Sequence, residues 1–199
     1  MRILVATHNH KKLEELSRIL KPLGIEAVTD TEAGLTLDEV EETGTTFEEN
    51  AKIKAAAASS QSGLPAVADD SGLEVDALGG APGVYSARYA GENATDADRN
   101  QKLLAELADV PEQQRTARFV SAICCVFPNG DCVTARGECP GRIGYQPQGS
   151  GGFGYDPLFV VDGGSTFAEL SAGDKDAISH RGKALRVFAE RLQEYLSSH

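Results

Sequence analysis

Basic residues are scarce in this sequence, which carries 19 Lys and Arg against 30 Asp and Glu and has a formal net charge of −11. Binding to a nucleic-acid backbone or to an anionic membrane surface depends on clustered Lys and Arg. The composition therefore argues against both kinds of partner. It still permits a small anion to bind in a local basic pocket.

Long apolar runs are also missing from the sequence. No segment approaches the ~20 apolar residues that a transmembrane helix needs. The apolar run within MRILVATHN, at residues 1–9, is too short for a signal peptide. We therefore expect a cytoplasmic protein. A chain of 199 residues with 41% hydrophobic content is expected to form one domain, residues 1–199, with two lobes.

The four cysteines, at positions 124, 125, 132 and 139, include no C-x-x-C pair, so the usual zinc spacing is absent. Cys124, Cys125 and Cys132 stand in apolar, strand-like runs and are expected in the core or the sheet. Disulfides are not expected in a reducing compartment.

Hydrophobic periodicity predicts helices interleaved with strands. Strands at 2–6 and 25–28 enclose a helix that ends near Gly24, which makes the opening a β-α-β unit. Thr46-Phe-Glu-Glu49 matches a capping box and predicts a helix from there to about Gly63. A short strand at 66–68 is then expected to end in a turn at the two following aspartates.

The second half of the chain contains a strong hairpin signal, with strand-like runs on both sides of Pro128-Asn-Gly-Asp131. A further strand is predicted at 156–161, and an amphipathic helix near the C-terminus presents Leu185, Phe188 and Leu192 on one face. Interleaved elements with one long antiparallel hairpin predict an α/β fold with a mixed sheet.

Asp69 and Asp70 pose the first chemical question. Adjacent like charges repel, and a buried carboxylate without a partner is costly. The pair is therefore either a solvated turn or lies beside a cation. Together with Glu41 and Glu42 it would suit a hard divalent cation such as Mg²⁺, which takes one or two carboxylates plus water and phosphate oxygens. The plain alternative is that all four are surface acids.

Three other stretches are suggestive on their own. ATHNHKK at 6–12 places Asn9 and Lys12 at a helix N-terminus, which suits a phosphate, although Asn is also an ordinary cap. Gly149 to Gly154 formally matches G-x-G-x-x-G, but a strand pattern follows instead of a helix, so a dinucleotide site is rejected. That loop presents Phe153 either to a planar base or to the core. Further on, SHRGKALR offers His180 and Arg181 as donors to a carbonyl oxygen or, alternatively, to solvent.

Taken together and in this order, five stretches resemble the inosine triphosphate pyrophosphatase (Ham1-like) family. They are ATHNHKKLEEL, EETGTTFEENAKIKA, ADDSGLEVDALGGAPGVYSARYAG, GGFGYDPLF and AISHRGKAL, which lie between residues 6 and 185. In the first stretch, His8 stands where a glycine or another small residue is expected.

The resemblance implies a homodimer whose chains have an elongated mixed sheet, flanking helices and an active-site groove between two lobes. It also implies Mg²⁺-dependent hydrolysis of purine nucleoside triphosphates to the monophosphate and pyrophosphate, with a preference for inosine and xanthosine bases. Two other functions stay open: a nucleotide-binding sensor without turnover, and a phosphatase that releases orthophosphate.

The same resemblance assigns roles to particular residues. Asp70 matches the catalytic acid and a metal ligand, Glu41 matches the second ligand, and Asp69 supports the site. Lys12 and Lys54 match the phosphate-side lysines, and Ser71 a substrate contact. On the base side Phe153 stacks on the purine, surrounded by Asp156, Lys175, His180 and Arg181. The remaining predicted substrate-binding residues are Thr7, His8, Asn9, His10, Lys11, Gly154 and Tyr155.

Overall fold

The computed structural model of the chain describes residues 1–7, 9–38 and 40–198, without the side chains of His10 and Lys11. Among these residues, six strands form one sheet in the order β2-β1-β3-β4-β5-β6. β1 pairs in parallel with β2 and β3, whereas β6 pairs antiparallel with β5. The strands are β1 (Arg2–Val5), β2 (Glu26–Val28), β3 (Ala66–Val75), β4 (Thr116–Val126), β5 (Cys132–Ile143) and β6 (Phe159–Val160).

Helices accompany the sheet, so the predicted α/β fold with a mixed sheet and flanking helices is confirmed. Thr46 caps α2 and Thr95 caps α3, each in a capping box with the residue three positions later. The α2 start predicted at Thr46 is therefore confirmed. The helices are α1 (His10–Leu20), α2 (Phe47–Ser62), α3 (Asp96–Glu106), α4 (Ala172–Ile178) and α5 (His180–Ser198). No helix of the described ranges has the length and apolar character needed to cross a membrane.

The chain divides into two compact units. Unit 1 comprises Met1–Asp70, Ser121–Gly137 and the chain from Arg181 onward, and unit 2 comprises Ser71–Val120 and Glu138–His180. Each has its own hydrophobic core. The core of unit 1 includes the predicted α5 face, with Leu185, Phe188 and Leu192 buried. The predicted groove between two lobes stays a prediction.

Two predicted elements differ from the structure. The turn expected at Asp69 and Asp70 is wrong, because β3 continues through both aspartates to Val75. Leu73 and Val75 are fully buried in the core of unit 2, and their burial favours the extended chain. The strand expected at 156–161 is shortened to Phe159–Val160, because the carbonyl oxygen of Tyr155 accepts bonds from the N–H groups of Leu158 and Phe159 in a turn.

The hairpin prediction is confirmed, since β4 and β5 are neighbours in the sheet and the N–H of Phe127 donates to the carbonyl oxygen of Asp131 at 2.9 Å. Cys124 and Cys125 are buried as expected, and burial raises the pKa of both thiols to about 12. Cys132 belongs to the sheet but is exposed, because the side chains of β5 alternate between buried and exposed positions.

Candidate active site

The two adjacent aspartates of β3 have separate cationic partners in unit 1. Asp69 pairs with Lys12 at 3.0 Å and with Arg181 at 3.1 Å, whereas Asp70 pairs with Lys54 at 3.1 Å. Successive side chains of a strand point to opposite faces, so the two carboxylates do not share one position. The repulsion expected from the sequence is thereby resolved by protein cations.

Asp69 lies at the centre of a buried network. Its side chain is 1% exposed, its Oδ1 accepts from Ser121 Oγ at 2.9 Å, and its Oδ2 faces both Lys12 and Arg181. Arg181 also donates through Nη1 to Glu15 Oε2 at 3.0 Å. A buried charge needs this degree of pairing to be tolerated. The network therefore places Arg181 beside two carboxylates, and the supporting role of Asp69 stays a prediction.

Burial and charge act in opposite directions on the two cations of this network. Burial lowers the pKa of Lys12 and outweighs the attraction of Asp69, so the net direction is downward. Burial also lowers the pKa of Arg181, but the carboxylates of Asp69 and Glu15 outweigh it and hold the pKa above its usual value. Arg181 therefore stays positively charged.

Asp70 differs from Asp69 because only one of its two carboxylate oxygens has a hydrogen-bond partner among the described residues. Oδ1 accepts from Lys54 Nζ at 3.1 Å, whereas Oδ2 is buried and has no hydrogen-bond partner among the described residues. Burial raises the pKa of Asp70; Lys54 lowers it, Glu42 raises it, and the net direction is upward. A buried oxygen without a partner is costly, so Oδ2 is available to a proton, a water or a cation.

Lys54 joins Asp70 to the acidic segment before α2. Its Nζ lies 3.2 Å from Glu42 Oε1, while Glu41 is exposed. Burial lowers the pKa of Lys54, but the carboxylates of Asp70 and Glu42 outweigh it, so the pKa is raised. Of the two glutamates, the structure thus pairs Glu42, and not the predicted ligand Glu41, with Lys54.

Gly44 holds the acidic segment against the start of α2. Its N–H donates to Asn50 Oδ1 at 2.8 Å. A Cβ at this position would lie only 2.7 Å from the Glu49 Cβ, so the close approach requires glycine. The helix that carries Lys54 therefore also positions Glu42.

The carboxylate oxygens at this site are ligand atoms that Mg²⁺ prefers. Among residues 1–7, 9–38 and 40–198, no group of three or more His, Cys, Asp and Glu side chains is arranged to hold a metal ion. Mg²⁺ however needs only one or two carboxylates, since water and phosphate oxygens complete its shell. The buried and unsatisfied Oδ2 of Asp70 fits that need, and Glu42, which shares Lys54 with Asp70, is a further carboxylate next to Glu41 in the chain.

The two predicted phosphate-side lysines come together at one backbone oxygen. The carbonyl oxygen of Asp69 lies 3.4 Å from Lys12 Nζ and 3.2 Å from Lys54 Nζ. These residues belong to different helices, and the sequence alone gave no measure of their separation. Two ammonium groups this close are within reach of one polyphosphate, although carboxylates already pair with both of them.

The segment between β1 and α1 has the local geometry of a helix start. Asn9 Oδ1 accepts from the Lys12 N–H at 3.3 Å, and the Asn9 N–H donates to Thr7 Oγ1 at 3.1 Å. Thr7 also lines a cavity of about 310 Å³ in unit 1, together with Glu42 and Lys54. His8 and the side chains of His10 and Lys11 lie outside the described residues, so their predicted roles stay predictions.

The predicted base-side residues of unit 2 form a second cluster. Asp156 Oδ2 accepts from the Phe153 N–H at 2.8 Å and from Lys175 Nζ at 2.6 Å. Lys175 Nζ lies 5.2 Å from the centroid of the Phe153 ring, within cation–π range. The structure thus brings Phe153, Asp156 and Lys175 together, and their predicted role around the base stays a prediction.

Tyr155 and His180 have packing contacts within unit 2. The Tyr155 hydroxyl donates to the carbonyl oxygen of Ser86 at 2.8 Å, and burial raises the pKa of this phenol. The His180 ring stacks on Phe119 with centroids 4.8 Å apart and is 5% exposed. Ser71 follows Asp70 in β3 and is half-buried. The predicted substrate contacts of these three residues stay predictions.

A family model described as the Ham1 family matches residues 3–191. The chain belongs to the Ham1 family. The likeness to this family inferred from five short stretches is thereby confirmed over nearly the whole chain.

Individual relatives within the Ham1 family are similar along their full length. A dITP/XTP pyrophosphatase of Nocardia farcinica is 56% identical, with 93% of this chain and 91% of that protein covered. A dITP/XTP pyrophosphatase of Haemophilus influenzae is 50% identical, with 96% and 98% covered. The solved structure of a HAM1 protein from Coxiella burnetii is 45% identical with a TM-score of 0.90, and 98% of this chain and 99% of that chain are covered.

Several contacts at the site have no counterpart in the sequence-based prediction. Glu15 lies three residues after Lys12, one helical turn further along α1, and that spacing was a usable signal for a shared face. Ser121 lies in β4 and gave no signal, because its contact with Asp69 depends on which strands become neighbours.

Proposed function

We propose that this Ham1-family chain hydrolyses noncanonical purine nucleoside triphosphates, namely ITP, dITP and XTP, to the nucleoside monophosphate and pyrophosphate. It thereby removes these nucleotides from the pool. The names of the relatives at about half identity support this activity. The structural observation that carries the proposal is the buried, unsatisfied Oδ2 of Asp70 beside the ammonium group of Lys54.

Asp70 is proposed to accept the proton of the attacking water. A general base works best when its pKa lies near the operating pH, and burial raises the pKa of Asp70 toward that range. Its Oδ1 is held by Lys54, which leaves Oδ2 for the water. The unpartnered Oδ2 and the upward direction of the Asp70 pKa both support this assignment.

Lys12 and Lys54 are proposed to bind the phosphates. Attack at the α-phosphorus places negative charge on its oxygens and on the leaving pyrophosphate, and fixed positive charge stabilises both. The two ammonium groups converge on the carbonyl oxygen of Asp69, so they are already close together before substrate binds. Thr7, Asn9 and Ser71 complete the proposed phosphate contacts.

Mg²⁺ is proposed as the cofactor, with Asp70 and Glu41 as its protein ligands. When bound, the ion would supply charge neutralisation on phosphate oxygens and a lower pKa for a coordinated water. The chain's own contribution is the Asp70 carboxylate, whose charged form the ion pair with Lys54 favours against the burial that raises its pKa.

The base is proposed to stack on Phe153 next to Gly154, with Asp156 and Lys175 beside it. His180 and Arg181 are proposed as donors to the C6 carbonyl oxygen that inosine and xanthosine share and adenosine lacks. Arg has only donors, so it cannot accept a hydrogen bond from the amino group of adenosine.

We also propose that the chain acts as a homodimer in the cytoplasm, where its nucleotide substrates are found.

Product analysis tests the proposed reaction. Purified protein is incubated with ITP or ATP and Mg²⁺, and the products are separated by chromatography. We expect IMP and pyrophosphate from ITP and much slower turnover of ATP. Asp70→Asn should abolish turnover without unfolding the chain, whereas Asp109→Asn, at an exposed position, serves as the matched control. IDP with orthophosphate would instead support a phosphatase, and absence of turnover would support a sensor.

A further inference from the structure

Helix α3 holds the backbone of the glycine-rich loop at Gly154. The Gly154 N–H donates to Asp96 Oδ2 at 2.7 Å, and the Gly154 carbonyl oxygen accepts from Asn100 Nδ2 at 3.0 Å. Asp96 and Asn100 are four residues apart, so they lie on the same face of the helix. One helix therefore satisfies both polar groups of a single loop residue through two side chains that the predicted site does not contain.

This contact falls between two residues proposed to bind the base. Gly154 follows Phe153 and has a φ of 61°, in the left-handed region that favours glycine. The Phe153 N–H donates to Asp156 Oδ2, which closes a short turn around residue 154. A shift of Gly154 would consequently move the Phe153 ring and the Asp156 carboxylate together.

Asp96 and Asn100 are themselves fixed. Asp96 forms an ion pair with Arg99, and Arg99 also donates to the carbonyl oxygens of Ala87 and Ala94 at 2.9 and 2.6 Å. Asn100 is 7% exposed, so its amide lies within the packed interior of unit 2. Both side chains therefore transmit the position of α3 to the loop.

The chemistry of Asn100 is hard to explain by stability alone. Its Oδ1 is buried with no hydrogen-bond partner in the described part of the chain, which costs free energy. An apolar side chain of the same size would avoid that cost. The bond from Nδ2 to Gly154 is what the amide provides and an apolar residue does not.

We propose that Asp96 and Asn100 are positioning residues for base recognition, acting through the backbone of Gly154 on Phe153 and Asp156. The inference rests on the proposed function, because it concerns how the same substrate is bound. It predicts weaker binding of ligands that carry a base. Binding of pyrophosphate, which has no base, should be unaffected.

Four variants separate this role from a general loss of stability. Asp96→Ala and Asn100→Leu each remove one bond to Gly154, whereas Asp96→Asn keeps an acceptor for the Gly154 N–H. Asp98→Ala is the stability control, because it breaks the capping box of α3 with Thr95 but removes no bond to the loop. The measurements are KM and kcat for ITP, inhibition constants of IMP and pyrophosphate, and amide exchange of residues 149–156.

We expect Asp96→Ala and Asn100→Leu to raise the KM for ITP and the inhibition constant of IMP about tenfold or more, since a loss of about 1.4 kcal/mol in base contacts is a tenfold change in affinity. The kcat should change little, as for a loss of uniform binding. The inhibition constant of pyrophosphate should match the wild type, and the loop amides should exchange faster. Asp96→Asn should stay near the wild type, and Asp98→Ala should lower the free energy of unfolding while it leaves the KM and the loop exchange nearly unchanged.

Two results would overturn the inference. One is unchanged loop exchange or unchanged KM in Asp96→Ala and Asn100→Leu. The other is an equal effect of Asp98→Ala, which would assign the change to the stability of α3. A wild-type protein that does not hydrolyse ITP would count against the proposed function alone, because amide exchange, and the dissociation constants of IMP and pyrophosphate from titration calorimetry, judge the positioning role without turnover.

Discussion

Glu41 and Glu42 are adjacent in the sequence but differ in their surroundings. Glu42 lies 3.2 Å from Lys54, whereas Glu41 is exposed. A carboxylate already engaged by an ammonium group is the poorer metal ligand, so Glu41 is the better candidate. We predict that Glu41→Gln raises the Mg²⁺ concentration for half-maximal ITP hydrolysis by about 10-fold or more. Glu42→Gln, the matched variant, should leave that concentration nearly unchanged, and the reverse pattern would make Glu42 the ligand.

Arg181 is the second residue whose surroundings lead to a prediction. It is a base-reading candidate, yet its Nε and Nη1 donate to the carboxylates of Asp69 and Glu15. Removing one partner of a buried ion pair typically costs about 3–5 kcal/mol when the other charge is left uncompensated. Asp69 keeps its pair with Lys12, so Arg181→Ala should lower the free energy of unfolding by about 3 kcal/mol, at the lower end of that range.

Urea denaturation measures the Arg181 effect, with the exposed Arg186→Ala on the same helix as control. The base-reading role has a separate test, which is the ratio of ITP to ATP turnover in whatever Arg181→Ala protein stays folded. An unchanged free energy of unfolding would show that the contacts with Asp69 and Glu15 contribute little to stability.

At the scale of single residues, the sequence predicted which residues belong to the candidate site better than it predicted which residues pair with one another. Lys12, Lys54 and Asp70 were proposed for one site, and the structure does bring the two lysines to the carbonyl oxygen of Asp69. The partner of each charge was not predictable, because Asp69 meets Arg181 only after α5 packs in unit 1. Sequence patterns report residues that are close together in the chain, whereas these ion pairs join segments that are far apart in the sequence.

At the scale of elements, local signals predicted helix starts well and strand ends poorly. The capping box at Thr46 depends on residues three positions apart, so the sequence displays it in full. The end of β3 does not depend on local residues alone. Two aspartates predict a turn, but the cations beside them and the buried Leu73 and Val75 keep the chain extended.

The capping box of α2 supplies an element-scale prediction. Thr46 Oγ1 accepts from the Glu49 N–H at 3.2 Å, and Glu49 accepts in return from Thr46 N–H at 3.2 Å. Thr46→Ala removes the side-chain acceptor and should lower the free energy of unfolding by about 1 kcal/mol. Thr46→Ser keeps a hydroxyl and serves as the control.

The same variant tests whether α2 positions the site. α2 carries Lys54, and the segment before it carries Glu42, so fraying of the first turn should weaken ITP turnover along with stability. Thermal unfolding and ITP hydrolysis are measured on both variants. A Thr46→Ala protein as stable as the wild type would show that water or a neighbouring group replaces the cap.

At the scale of the whole molecule, the question is how a chain with a large negative net charge binds an anionic nucleotide. The net charge of −11 disfavours anions at long range. Locally, Lys12, Lys54 and Arg181 are gathered around Asp69, but Glu15, Glu42 and Asp70 pair with them as well, so the cluster carries no net positive charge and the proposed Mg²⁺ would have to supply the remaining charge. Composition correctly described the average charge but could not show that clustering, since it arises from folding.

The negative net charge of the chain also matters for the next prediction, which concerns the effect of Mg²⁺ on thermal stability. A ligand that binds only the folded state stabilises it, by about 2.7 kcal/mol at one hundred times its dissociation constant. For a chain of this size each kcal/mol raises Tm by about 2–4 °C. Saturating Mg²⁺ should therefore raise the Tm of the wild type by several degrees, and EDTA should reverse the shift.

Asp70→Asn is the decisive comparison for this metal effect. The amide removes the negative charge and the oxygen left unsatisfied in the buried site, so the Tm of this variant should not respond to Mg²⁺. Diffuse screening of the net negative charge would instead stabilise both proteins equally, and NaCl at matched ionic strength reproduces that contribution. An equal Mg²⁺ shift in the two proteins would therefore show that the ion acts on the overall charge, and Asp70 would not be its ligand.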